Sequence, residues 1–223
     1  MIIDCNVKLD TDRDTIDDFL RKMKKNGVDV SCVALPSGRM HSGEANAELQ
    51  TMVNGYENLI PVGKFEYETL FGLIDAQPFE GFRIIDLRDV PHSSLAFREA
   101  ASYLDKRGTP FITAANAEAA VTLAALDGIY IPVILTGAHY SNLNETMLLM
   151  RKKENVLVEI SKLTVPEGIE FIVTAFGSRR VVMGSGYPEC SVASAVMNVE
   201  KSNIKDDDKE RILSGNMKEI LSI

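Results

Sequence analysis

The stretch that decides the fold is residues 1–14, "MIIDCNVKLDTDRD". Its first seven residues form an apolar run short enough for a strand, and the segment that follows turns polar and acidic without a single glycine. An open, doubly wound sheet that binds a nucleotide usually places a glycine-rich phosphate turn directly after its first strand. "NVKLDTDRD" has no such turn, so a strand that opens a different parallel α/β architecture is the better reading.

Apolar runs of the same kind recur roughly every 25 residues. They are "IIDCNV" from 2, "VSCVAL" from 30, "LIPVGKF" from 59, "GFRIIDL" from 81, "PFITAA" from 110, "IPVILTG" from 131, "VLVEIS" from 156 and "VVMGSG" from 181. Most are continuous rather than alternating, as expected for parallel strands covered on both faces. Between them the apolar period turns helical. Ile16, Phe19, Leu20 and Met23 fall at i, i+3, i+4 and i+7, with Asp14 or Thr15 placed to cap and Gly27 just past the end. Ile169, Ile172, Val173 and Phe176 repeat the pattern before Gly177. Eight strand-then-helix units with short connections and no Pro/Gly-rich linker predict a compact (β/α)8 TIM barrel, one domain over residues 1–223.

Composition narrows the function. The chain has 223 residues, a formal net charge of −8 and 25% charged residues, which argues against the clustered basic face a nucleic-acid partner needs. No apolar run approaches the ~20 residues of a membrane span, and the N-terminus lacks the basic-then-apolar order of a signal peptide, so a cytoplasmic protein without membrane partners is expected. Cys5, Cys32 and Cys190 are an odd set without C-x-x-C spacing, read as reduced, mostly buried thiols. The run "KDDDKE" at 205–210 reads as a solvated first helical turn whose acids suit the helix dipole.

In a TIM barrel, function belongs to the C-terminal ends of the strands, where the largest pocket is also expected. Those ends deliver Asn6 and Lys8, Lys64, Asp86 and Arg88, His139, Glu159 and Lys162, then Ser185, Gly186 and Tyr187. The second loop adds Arg39 and His41, and the fourth adds His92; both histidines are expected at the surface. A strict two-residue period puts Asp4, Asn6 and Lys8 on one face, with Asp4 deepest, as a structural acceptor.

Several of these segments resemble the amidohydrolase superfamily, and more closely its metal-dependent, amidohydrolase-2-like branch, which also contains decarboxylases. "MIIDCNVKL" resembles that family's opening strand, I-I-D-x-H-x-H. "EANAELQTMVNGYENLIPVGKFE" from 44 resembles its second helix and third strand, with Asn46 at a matching asparagine. "VVMGSGYPE" from 181 resembles G-S-D-Y-P, and "ILSGNMKEIL" from 212 resembles a closing helix built around G-N-A. The matches run in order from residue 2 to residue 221.

The resemblance implies a hydrolase of C–N or C–O bonds, or a related lyase, normally built on a divalent metal. The family's two strand-one histidines fall on Asn6 and Lys8, its eighth-strand aspartate falls on Gly186, and "FITAAN" offers no fifth-strand histidine. Only His139 keeps a residue of the ligand type, too few for a catalytic zinc with three protein ligands. No cofactor is therefore expected, with a weakly bound divalent ion as the open alternative. The expected machinery is His139, Asp86, Glu159 and Lys8 in the chemistry, with Asn6, Lys64, Arg88, Arg39 and Tyr187 holding a small anionic ligand. Two alternatives stand beside an active enzyme: a family-derived binding or regulatory protein that has lost the reaction, and a Schiff-base enzyme using Lys8. The sequence leaves a homo-oligomer open.

Overall fold

The computed structural model describes residues 1–36, 42–65 and 79–223; Arg39 and His41 lie outside them. The strands are β1 (Ile3–Lys8), β2 (Val30–Ala34), β3 (Leu59–Pro61), β4 (Gly63–Lys64), β5 (Ile85–Asp86), β6 (Phe111–Ala114), β7 (Val133–Thr136), β8 (Val156–Glu159) and β9 (Val181–Val182). All pair in parallel, β1 to β3 in one ladder and β4 to β9 in another. The third barrel position is one run broken at Val62, whose N–H donates to Val33 O at 2.8 Å while Gly63 N–H turns to Ile84 O at 3.0 Å. β3 and β4 thus join the two ladders. On the other side, Cys5 N–H reaches Met183 O at 3.1 Å, Gly186 N–H reaches Asn6 O at 2.9 Å and Lys8 N–H reaches Tyr187 O at 2.8 Å. The eighth run therefore closes on the first.

The interior confirms closure. One apolar cluster takes a side chain from every barrel position: Ile3 and Cys5, Cys32 and Ala34, Val62, Ile84, Ile112, Ile134, Leu157 and Val182. It is sealed by Met217 and Leu221 of the last helix, α9 (Asn216–Leu221). A packed core of this kind is what a barrel of this width requires. The alternate residues, such as Val7, Val33, Ile85, Val133, Val158 and Val181, join a second layer with the surrounding helices. The closing motif has a visible job here, since Asn216 Nδ2 donates to Ser178 O at 2.7 Å and Val181 O at 2.6 Å, fastening α9 under strand eight.

Among the described residues a helix follows every barrel position but the third, whose connection lies largely outside them. These helices are α1 (Ile16–Lys25), α2 (Ser42–Val53), α3 (Leu95–Arg107), α4 (Ala119–Ala125), α5 (Leu143–Lys152), α6 (Gly168–Phe176) and α7 (Val192–Lys201), followed by α8 (Asp206–Glu210) before α9. In α1, Thr15 is the cap, accepting from Asp18 N–H at 3.1 Å, and Phe19 and Met23 are buried against the barrel. No helix among the described residues is long and apolar enough to cross a membrane. Cys5 and Cys32 are buried and unbridged, and Cys190 is half-buried.

One expectation for β1 fails. Asp4 is in register with Ser31, but Val7 is in register with Val33, so β1 carries one extra residue between those pairs. Such a bulge inverts the parity of the side chains beyond it. Asp4 and Lys8 consequently face opposite sides of the sheet rather than sharing one. Asp4 is fully buried, and its Oδ1 accepts from Ser185 N–H at 2.8 Å and Asn6 N–H at 3.2 Å, which holds the bulge against strand eight. The structural-acceptor role expected for it stands.

Candidate active site at the barrel mouth

The inward residues at the strand ends form a chain of polar contacts below the mouth. Arg88 clamps Asp86, with Nε at 2.9 and 3.0 Å from the two carboxylate oxygens and Nη2 at 2.5 Å from Oδ2. Its Nη1 donates to Asn6 Oδ1 at 2.7 Å. Asn6 Nδ2 in turn donates to Glu159 Oε2 at 3.0 Å. Glu159 is completely buried, and it also accepts from Ser161 Oγ at 2.9 Å and from the Ser161 backbone N–H. Burial would raise the Asp86 carboxyl, but the Arg88 charge and its hydrogen bonds outweigh it and hold the group below the ordinary carboxylate range. Glu159 has no such clamp. Burial pushes it up to about 7 despite the hydrogen bonds from Ser161 and Asn6.

Above this layer lies a cavity of about 210 Å³ lined by Asn6, Lys8, Arg88, Ser161, Lys162, Gly186, Tyr187 and Glu189 among others. Lys8 and Lys162 both pair with Glu189, at 3.2 and 3.5 Å, so this carboxylate bridges two ammonium groups over the opening. Lys64 turns its ammonium to Asp89 at 3.6 Å. Its backbone is held by Asn46, which donates from Nδ2 to Lys64 O at 3.0 Å and accepts Lys64 N–H at 2.7 Å. The Tyr187 ring borders the cavity, while its hydroxyl donates to Asp14 and accepts from Lys22 Nζ at 3.0 Å. That residue therefore fastens the eighth loop to α1.

His139 is exposed, with Nδ1 at 3.2 Å from Ser141 Oγ. It lines a neighbouring hollow of about 400 Å³ that shares Arg88, Ala114 and Ala115 with the mouth. His92, expected at the surface, is buried instead. Its ring nitrogens lie 2.7 Å from Thr122 Oγ1 and 2.7 Å from Thr113 Oγ1, and burial lowers it to about 4, so it is a neutral link between β6 and α4. A larger cavity, of about 720 Å³, lies between the starts of α5 and α6, at the same end of the barrel in the loops after β7 and β8, with Tyr140 and Ser141 rather than Lys8 in its lining.

Two residues at the mouth were not singled out from sequence as members of the site. Ser161 had a usable signal, because it follows Glu159 by two on the same strand end and so shares its face. Glu189 had none, since its place depends on the path of the loop after strand eight.

No family model matches the chain, and no curated protein matches it in sequence. Solved structures do match over the whole length. An uncharacterized TIM-barrel protein from Bordetella bronchiseptica superposes with a TM-score of 0.78 at 15% identity, covering 99% of this chain and 98% of that one. The fold is a TIM barrel. It is shared with amidohydrolase 2 from Bifidobacterium longum subsp. infantis, at a TM-score of 0.74 and 14% identity over 100% and 98% of the two chains. It is also shared with 5-carboxyvanillate decarboxylase from Sphingomonas paucimobilis, at a TM-score of 0.72 and 13% identity over 100% and 99%.

The TIM barrel's mouth does not fit the divalent metal that the sequence resemblance implies. Asn6 spends its oxygen on Arg88 and its amide N–H on Glu159, Lys8 presents an ammonium, and His139 faces the adjoining hollow. At the eighth-strand position Gly186 has φ +66°, and a Cβ there would sit 3.0 Å from Ser161 Cβ and Oγ, so an aspartate would be strained and crowded. Among the described residues no group of three or more His, Cys, Asp or Glu side chains could hold a metal ion.

Proposed function

We propose that this amidohydrolase-like TIM barrel acts on a small anionic metabolite at its mouth, as a hydrolase of C–N or C–O bonds or a related lyase, without the usual metal centre. One observation carries the reading. Lys8, Arg88 and Lys162 come from three separate strand ends to line one cavity of about 210 Å³, in a chain whose net charge is −8. Cations gathered against the overall charge favour an anionic ligand, and partial burial strengthens each interaction. Among the structural neighbours, the Sphingomonas enzyme is named for a carboxylated aromatic substrate, which agrees with this ligand class.

Glu189 supports a second reading, in which the mouth binds without reacting. A carboxylate already bridges Lys8 and Lys162, and a ligand carboxylate has to displace it. The Schiff-base alternative is disfavoured by the same pair. Lys8 Nζ is already engaged by Glu189 at 3.2 Å, and a substrate carbonyl would have to displace that carboxylate to reach it.

Thermal melts with succinate against chloride at matched ionic strength test the anion site. At about ten times Kd, bound ligand adds roughly 1.4 kcal/mol, worth about 3–5 °C for a domain of this size. Wild type is expected to show that rise and Lys8→Ala to lose most of it. Equal rises in both proteins would remove Lys8 from the site.

A further inference from the structure

We propose that Ser161 is the nucleophile of this site, that Glu159 is its general base, and that Asn6 is the residue positioning that base. The inference rests on the hydrolase reading above and assigns its substrates to the carboxylate-bearing esters and amides, attacked at the acyl carbon.

The geometry has the three parts that an activated hydroxyl needs. Ser161 is half-buried and borders the cavity, with Oγ donating to Glu159 Oε2 at 2.9 Å. Asn6 holds the same oxygen at 3.0 Å, and Arg88 fixes the Asn6 amide at 2.7 Å so that its N–H points to Glu159. Without a cation clamped to it, Glu159 is a far better proton acceptor than Asp86, whose charge is already committed to Arg88.

Strand eight supplies an independent observation. A Cβ on Gly184 would sit 2.6 Å from Glu159 Cγ and Oε1, and one on Gly186 would sit 3.0 Å from Ser161 Cβ and Oγ. The two glycines of "GSG" thus each leave room for one member of the pair. The position where the sequence resemblance places a metal-binding aspartate is the one whose missing side chain makes space for the serine.

In the first step Ser161 Oγ bonds to the acyl carbon and its proton passes to Glu159 Oε2. Collapse of the tetrahedral species breaks the bond to the alcohol or amine, which leaves with that proton. Water then attacks the acyl-serine and gives a proton to Glu159, and Ser161 Oγ departs and recovers it. The net reaction is hydrolysis, with no oxidant or further reactant. Lys8, Lys162 and Arg88 border the same cavity, where their charges favour both the substrate carboxylate and the developing oxyanion.

The test uses the 4-nitrophenyl monoester of succinate and a fluorophosphonate probe on the full chain, read by nitrophenolate release and by intact and peptide mass. One adduct per chain is expected, on the peptide containing Ser161. Ser161→Ala is expected to lose the adduct and at least 10³-fold in turnover, while keeping the succinate-induced rise in melting temperature. Glu159→Gln is expected to lose about 10²- to 10⁴-fold and to flatten a rate that in wild type climbs with pH through neutrality. An adduct elsewhere, no adduct, or undiminished hydrolysis by Ser161→Ala overturns the proposal. If the succinate response persists in that case, anion binding survives without this chemistry; if it is absent in wild type too, the underlying reading fails with it.

Discussion

Arg88→Met is expected to destabilise the protein by roughly 3 kcal/mol, the lower end of what breaking a buried pair costs. Arg88 and Asp86 retain 16% and 14% side-chain exposure, so water softens the loss without removing it. The substitution keeps much of the apolar stem but removes every side-chain hydrogen bond on the Asp86 carboxylate and the donor to Asn6 Oδ1. Asp86 loses the charge that holds it ionised, and Asn6 is left with an unsatisfied acceptor, itself costing about 1–3 kcal/mol where buried. Urea unfolding at pH 7 measures the change. The double variant Asp86→Asn/Arg88→Met is expected to be more stable than Arg88→Met alone, because the uncompensated carboxylate is gone. A single-variant loss under about 1 kcal/mol, or no recovery in the double, would show that the pair is not what secures this part of the barrel.

The second large effect is on pH. Burial raises Glu159 from 4.5 to about 7 and Asp4 from 3.8 to about 6. A raised acid keeps its proton in the native state after the unfolded chain has released it. Its stabilising contribution is therefore complete below the unfolded value and is lost as pH rises through the native one. For Glu159, at ~1.36 kcal/mol per pH unit, the loss is on the order of 3 kcal/mol. Asp4 acts in the same sense at lower pH, where His92 opposes it: burial lowers His92 from 6.5 to about 4, so stability rises with pH across that interval. With those two largely offsetting each other, stability is expected to fall between about pH 5 and 7.5, chiefly through Glu159. Denaturant midpoints across that range should decline in wild type and stay nearly level in Glu159→Gln. Parallel curves for the two proteins would contradict the assignment. The same titration is expected to raise the reactivity of Ser161, so the window in which the site becomes competent is the one in which the fold becomes less stable.

Much of the architecture was legible because strand and helix periods differ and each barrel unit repeats both. The ten inward apolar strand residues lie in the runs that periodicity picked out, and the absence of glycine after β1 separated a barrel from a nucleotide-binding sheet. The bulge in β1 was not legible. An extra residue has no compositional mark, yet it turned Asp4 away from the face it was expected to share with Lys8. Within the site, Lys8, Asn6, Arg88 and Tyr187 do border one cavity, as their places at strand ends implied. Partners were harder. The carboxylate that pairs with Lys8 is Glu189, delivered by a loop whose path no local pattern encodes. His92 sits in a polar stretch, and its burial rests on the hydroxyls of Thr113 and Thr122 and on the Phe97 ring 4.5 Å away, none of which a local pattern signals.

The mouth is expected to receive a small anion on Lys8 and Lys162 in place of a metal. A crystal structure of the protein grown with succinate tests it most directly. One ligand carboxylate is expected within hydrogen-bonding distance of both ammonium groups, with Glu189 displaced from the position in which it now bridges them at 3.2 and 3.5 Å. Succinate seated elsewhere with that bridge intact, or a metal ion held at the mouth through His139, would contradict it.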